Sequence, residues 1–194
     1  LVGSEMCIRD RIFTDQIHSP FSLIVFDHHT DMQQPLMEGM MSCGDWAGMV
    51  LDQNPTLQQF ILIGPAEDDI RQIRTKHPDK LITFSAEEIR KGEGVERLKR
   101  IHGGVPLYIS IDKDVLDERY CETNWNQGEM PLSLLEHLLT LFLAQKNILG
   151  IDICGECQQG IPMPEYMEAE EKNAETNRKL FEFLTRYIVT SRKK

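Results

Sequence analysis

What this chain of 194 residues lacks narrows its function first. No apolar run approaches the roughly 18 residues that a membrane-spanning helix needs, so the sequence offers no membrane partner. Basic clusters are missing too. The only run of cations is Arg192-Lys-Lys194, short enough to be a solvated tail, while the formal net charge is −10 and the pI about 5.1. Phosphate binding depends on clustered Lys and Arg, so a nucleic-acid partner is excluded. Five cysteines, an odd number, come without a secretory leader, which points to a reduced, cytoplasmic setting. Cys154-Gly-Glu-Cys157 is a lone C-x-x-C. It is followed by Gln158-Gln-Gly-Ile-Pro162, which reads as loop, and no second pair exists, so neither a redox helix nor a zinc knuckle is indicated. The chain has no internal repeat, no low-complexity segment and no initiator Met.

What is present is a hydrophobic share of 41% and a mean hydropathy of −0.34, the composition of one soluble globular domain with ample chain for a core. The stretch that organises it is Phe21-Ser-Leu-Ile-Val-Phe26 followed by Asp27-His-His-Thr-Asp31. The apolar run predicts a strand buried on both faces. Asp27, His29 and Asp31 occupy alternate positions just past its end, where an extended backbone aims them at one point. The layout recurs at Pro106-Leu-Tyr-Ile-Ser-Ile111, tipped by Asp112-Lys-Asp114 and then Asp117. In open α/β sheets such strand tips are where ligands bind. Buried carboxylates repel one another and resist desolvation. One divalent cation relieves that cost, and two bridged by shared carboxylates relieve it better while activating water. The oxygen-rich donor set suits Mn²⁺ better than a structural Zn²⁺ site.

Asp27-His-His-Thr-Asp31 resembles the D-A-H-x-D motif of the ureohydrolases (arginase, agmatinase and formimidoylglutamase), and Ser110-Ile-Asp-Lys-Asp-Val-Leu-Asp117 resembles their S-x-D-x-D-x-x-D motif. The likeness runs from Phe21 to Tyr187 with the motifs in family order. It implies an α/β fold, a three-layer α/β/α arrangement with a parallel central sheet, arginase/deacetylase-like. It also implies two Mn²⁺ per chain. Asp27 and Asp112 would bridge them, Asp31 would bind one ion, and His29 and Asp114 the other. The family's sixth ligand is a histidine in an upstream G-G-D-H motif. That position falls in Leu1–Arg11, which reads as a non-native leader resembling a translated sequencing adapter. Residues 12–194 are then a single domain with its N-terminal part missing. His18 lies too close to Asp27 for a strand-helix-strand unit and reads as a surface residue.

The chain departs from the family in three places. Ser42-Cys-Gly-Asp-Trp46 replaces a histidine-bearing turn, which makes Asp45 a candidate acid or base, or simply a helix cap, and Trp46 a candidate pocket residue. Thr123-Asn-Trp-Asn-Gln-Gly128 replaces the family's substrate-access loop, which makes Asn124 and Trp125 candidate substrate contacts. Glu156, one residue out of the family's register, is the candidate glutamate facing the substrate.

Elsewhere the pattern predicts strands at Phe60–Gly64, Leu81–Phe84 and Asn147–Ile153. It predicts helices through Asp52, over Ala66–Lys76, from a capping box at Ser85–Glu88, over Val95–His102 after a break at Gly92 and Gly94, over Pro131–Gln145, and over Glu165–Ser191 with an apolar stripe of Leu180, Phe183, Leu184, Tyr187 and Ile188. His102 reads as a cap-region residue. The resemblance implies a hydrolase that uses a metal-bridging hydroxide to cleave a C–N bond of a guanidino- or amidino-like small molecule, in a homo-oligomer. Which of Asp114, Asp45 or Glu156 assists the leaving amine stays open. One alternative is an inactive relative serving as a binding or structural subunit. Another is a DHH-type phosphoesterase, but its upstream D-x-D and downstream G-G-G-H-like segments are absent and it leaves Ser110–Asp117 unexplained. Deacetylases share the arginase fold, but their D-x-H is normally followed by H-G-D/N-G, where this chain has Thr30-Asp31-Met32.

Overall fold

Apolar runs rich in β-branched and aromatic residues become the strands of one parallel sheet: β1 (Phe21–Phe26), β2 (Leu57–Ile63), β3 (Leu81–Phe84), β4 (Leu107–Asp112) and β5 (Ile148–Cys154). This computed structural model describes residues 11–35, 41–98, 104–144, 147–158 and 160–191. The leader before Arg11, His102, Gln145 and the Arg192–Lys194 tail lie outside the described residues, as does the side chain of Ile188. Every strand pairing is parallel, and the order is β3-β2-β1-β4-β5. The three-layer α/β/α fold expected from the sequence is what the chain adopts.

The described residues include helical residues 11–15 and the helices α1 (Trp46–Gln53), α2 (Glu67–Ile70), α3 (Ala86–Arg90), α4 (Glu93–Leu98), α5 (Leu132–Leu143) and α6 (Met163–Ser191). The period-2 alternation of β1 splits its side chains between two cores. Phe21, Leu23 and Val25 join Trp46, Val50 and Leu51 of α1 on one face. Ile24 and Phe26 join Leu135, Leu139 and Phe142 of α5, with Leu180 and Leu184 of α6, on the other. Both faces of the sheet are therefore covered, as parallel sheets require.

Two local expectations change and a third holds. The helix expected over Ala66–Lys76 is only the four residues of α2, after which the chain turns through i→i−3 bonds from Gln72 to Asp69 and from Ile73 to Ile70. Ile70 and Ile73 are its only large apolar residues, too few for a stripe that docks on the sheet, and the Arg74 guanidinium closes the turn on the carbonyls of Arg71 and Ile73. Gly94 lies inside α4 and does not break it; a Cβ there would meet Ile89 Cδ1 at 2.8 Å, so the glycine lets α4 sit against α3. The capping box at Ser85 forms as expected, with Glu88 N–H donating to Ser85 Oγ at 3.1 Å and Ser85 N–H to Glu88 Oε2 at 3.0 Å.

The strand order fixes where a site belongs. From β1 the chain winds outward through β2 to β3, then crosses back to β4 and winds the other way to β5. The direction reverses between β1 and β4, and crevices at such a reversal, outside the carboxyl ends of the strands, are where open α/β sheets bind ligands.

Candidate metal centre

The β1–β4 register brings the two acidic motifs side by side. Phe26 is opposite Ile111, so Asp27 and Asp112 leave the ends of neighbouring strands at the same level. Beyond β1 the backbone does not stay extended as the alternating spacing suggested. It bends at His28 and His29, and Asp31 adopts a left-handed φ of 49°. Convergence comes from that bend and from hydrogen bonds. His29 N–H donates to Asp27 Oδ1 at 2.6 Å, and His28 N–H donates to Asp114 Oδ1 at 3.0 Å, tying the two motifs together. On the second tip, residues Lys113–Val115 form one 3₁₀ turn, and Asp114 N–H donates to Asp112 Oδ1 at 3.0 Å.

Asp27, His29 and Asp114 each present a ligand atom within 4.8 Å of the others. His29 Nδ1 is 2.8 Å from Asp114 Oδ2 and 3.6 Å from Asp27 Oδ1. Asp31 and Asp112 line the same cavity of about 580 Å³, together with Gln33, Ser42, Arg74 and Trp125. All five sequence-predicted ligands thus meet at one place. Their electrostatics show what the protein lacks on its own. Burial, followed by the fields of Asp114, Asp31 and Asp112, holds the Asp27 carboxyl well above the ordinary carboxylate range. Burial pushes Asp31 up to about 7 against the opposing hydrogen bond from Trp46, and burial with the neighbouring Asp114 pushes Asp112 up to about 7. His29 is raised first by its hydrogen bond to Asp114. The cluster is a set of hard oxygen donors and one imidazole whose own positive charges do not balance it.

The remaining predicted residues are placed less centrally. Trp125 is 48% exposed, lines the cavity and stands edge-on to His29 with ring centres 6.2 Å apart. Asn124 is exposed outside the cavity wall, its backbone N–H donating to Glu156 O at 3.1 Å. Glu156 is exposed and outside the wall; its carboxylate meets the fully buried Lys113 ammonium at 3.4 Å. Asp45 sits at the N-cap position of α1 but does not cap it. Its carboxylate accepts from Ser42 N–H and Ser42 Oγ, both at 2.8 Å, closing a turn, and it too lies outside the wall. Trp46, expected against the pocket, is buried beneath it and donates to Asp31 Oδ2 at 2.7 Å. His18 is exposed, as read.

Two glycines that sequence reasoning passed over complete the geometry. Gly64 at the end of β2 and Gly155 at the end of β5 flank the ligand tips, at φ of 124° and 88°. A Cβ on Gly64 would run into the Asp27 carbonyl, and one on Gly155 would lie 2.5 Å from Asp112 Oδ1. Cys154 beside it has its sulfur 3.5 Å from Asp112 Oδ2. A glycine directly after a strand, next to an acidic tip, is the only signal the sequence carries for this.

The fold has counterparts among known proteins. The model of the arginase family matches residues 10–156. An uncharacterized protein of Thermotoga maritima is 28% identical over 141 residues, 73% of this chain and 50% of its own length. Among solved structures, the agmatine ureohydrolase of Thermoplasma volcanium superposes with a TM-score of 0.69 at 15% identity, over 95% of this chain and 59% of that one. Formimidoylglutamase from Bacillus subtilis gives 0.63 at 15%, over 88% and 56%, and Helicobacter pylori arginase gives 0.60 at 16%, over 96% and 70%. At these identities the structural likeness is one of fold, and the chain spans half the length of the curated relative it matches.

Proposed function

Since the chain belongs to the arginase family, we propose that it is a hydrolase of small C–N substrates built around a dinuclear manganese centre. The observation that carries this reading is the convergence of four buried or half-buried carboxylates and one imidazole at the sheet's reversal point. A purely structural role calls for no such convergence of carboxylates.

The donor set fits the ions. Asp27 and Asp112, at the same level on adjacent strands, would be shared between them. Asp31 would serve one ion, and His29 with Asp114 the other. When bound, two Mn²⁺ supply the Lewis acidity that makes water a nucleophile near neutral pH. The chain's own residues do the rest. Trp125 shields one side of the cavity and offers a flat face to a planar guanidino or amidino group. Of Asp114, Asp45 and Glu156, only Asp114 lines the cavity, so it is the one of the three within reach of a leaving amine. Glu156 is engaged with Lys113 and Asp45 with Ser42, so neither takes that role in this reading. The cavity volume is that of a small-molecule site.

The test is release of urea or ammonia from a panel of guanidino and amidino compounds by the Mn²⁺-loaded chain. Turnover that chelation abolishes and Asp114→Asn cuts by about a hundredfold supports the reading. A metal-loaded, folded chain inert towards the whole panel would leave the inactive-subunit alternative.

A further inference from the structure

Asp31 is held differently from the other ligand candidates. Its left-handed φ of 49° is uncommon outside glycine, and both its carbonyl and its carboxylate are tied down. The ties come from three consecutive residues of α1. The Asp31 carbonyl accepts from Ala47 N–H at 3.1 Å and Gly48 N–H at 3.2 Å, both otherwise unsatisfied first-turn donors. Its carboxylate Oδ2 accepts the Trp46 indole N–H at 2.7 Å. Trp46 is 1% exposed, so its indole N–H is shielded from bulk water. Gly48 permits the close approach: a Cβ there would lie 3.3 Å from Met32 Cα.

We propose that Trp46 is the positioning residue for Asp31. It fixes the rotation of the carboxylate and reserves Oδ2, so that the other oxygen is the one presented to a cation beside Asp27. The indole ring is packed among Phe21, Leu23, Val50 and Leu51 and would stay there for reasons of core packing alone; the N–H is the part that acts on the site. This inference rests on the metal reading above and extends it. The two cation positions are inequivalent, and Trp46 acts on the one that Asp31 serves while leaving the His29–Asp114 position alone.

Trp46→Phe keeps the ring and removes the donor. Calorimetric titration with Mn²⁺ on the wild-type chain, Trp46→Phe, Asp31→Ala and the double variant forms a cycle. The expected result is a loss of about 10- to 100-fold at one of two sites in Trp46→Phe, no change at the other, and no further loss when Trp46→Phe is added to Asp31→Ala. Unchanged affinities in Trp46→Phe, or a loss that persists in the Asp31→Ala background, would overturn the proposal. A wild-type chain that binds no cation would overturn the metal reading along with it. If Trp46→Phe fails to fold, the wild-type indole N–H resonance is followed during titration with diamagnetic Mg²⁺. The proposal requires that it remain slowly exchanging at saturation; a resonance that becomes exchange-labile as the cation binds sinks it.

Discussion

Replacing Gly155 by alanine separates two kinds of cost that glycines carry in this fold. At Gly155 the backbone has φ 88°, and an added methyl would sit 2.5 Å from Asp112 Oδ1, 2.9 Å from Lys113 N and 3.1 Å from Lys113 Cβ. Two of those contacts are with the backbone and the stem of a fully buried side chain, which cannot swing away. The left-handed conformation itself costs alanine about 1–2 kcal/mol. Relieving the overlap by pushing β5 off β4 or rotating Asp112 adds about 1–3 kcal/mol, the usual range for overpacking. Gly92 is the internal control, because its φ is 81° and nothing lies within 4 Å of a Cβ built there. Gly92→Ala therefore carries the conformational cost alone. In a chain of this length each kcal/mol moves Tm by roughly 2–4 °C, so Gly155→Ala should melt at least about 2 °C below Gly92→Ala in metal-free buffer. The sharper readout is metal. Gly155→Ala should lose at least about tenfold in Mn²⁺ affinity through displacement of Asp112, and Gly92→Ala should lose none. If Gly155→Ala binds Mn²⁺ as tightly as the wild-type chain, the contact between the β5 end and Asp112 does not shape the site and the reasoning fails.

Four further outcomes follow from the same geometry. Asp31 and Asp112 titrate at about 7 when folded, against 3.8 ordinarily. Between about pH 4 and 7 the unfolded chain ionises while the folded chain does not, so stability drains as pH rises and then levels off, by up to about 4 kcal/mol for either group. Denaturant melts in chelator should therefore show a less stable chain at pH 8 than at pH 5, with Mn²⁺ restoring stability at pH 8; equal stability at the two values would contradict this. Asp112→Asn removes one buried charge and should raise metal-free stability at pH 8 by as much as about 4 kcal/mol while abolishing binding at the shared position. Ser85→Ala removes the capping-box acceptor and should cost about 1 kcal/mol in a thermal melt, with Mn²⁺ affinity unchanged. Trp125→Ala should leave Tm and Mn²⁺ affinity within error, because the ring is half exposed, and should raise KM for whichever substrate the panel identifies.

The strands and the acidic tips that close two of them are legible in the sequence because both are local properties. An apolar run such as Phe21–Phe26, closed by acids, announces a buried parallel strand and its functional end. The two acidic motifs met because the β1–β4 pairing aligns Phe26 with Ile111, and the alternation of strand and helix already implied a sheet of that kind. What was not legible depends on partners distant in sequence. Trp46 read as a pocket residue, yet its indole finds Asp31, 15 positions upstream. Asp45 reads as a cap or a catalytic acid; it does not cap, and its carboxylate is held by Ser42. Glu156 was read for the substrate and meets a buried lysine 43 positions before it. Gly155 matters only because β5 lies against β4. The helix expected over Ala66–Lys76 stopped after α2 because two isoleucines do not make a docking face.

We propose that Asp27, His29, Asp31, Asp112 and Asp114 converge in order to hold cations. The first measurement to make is the metal content of the purified, folded chain after incubation with Mn²⁺ and removal of the excess, beside that of Asp112→Ala. About two Mn²⁺ per wild-type chain are expected, the number that a bridged dinuclear centre takes, with loss of binding in the variant. A folded wild-type chain that retains no metal, or an Asp112→Ala chain that retains the full complement, would contradict it.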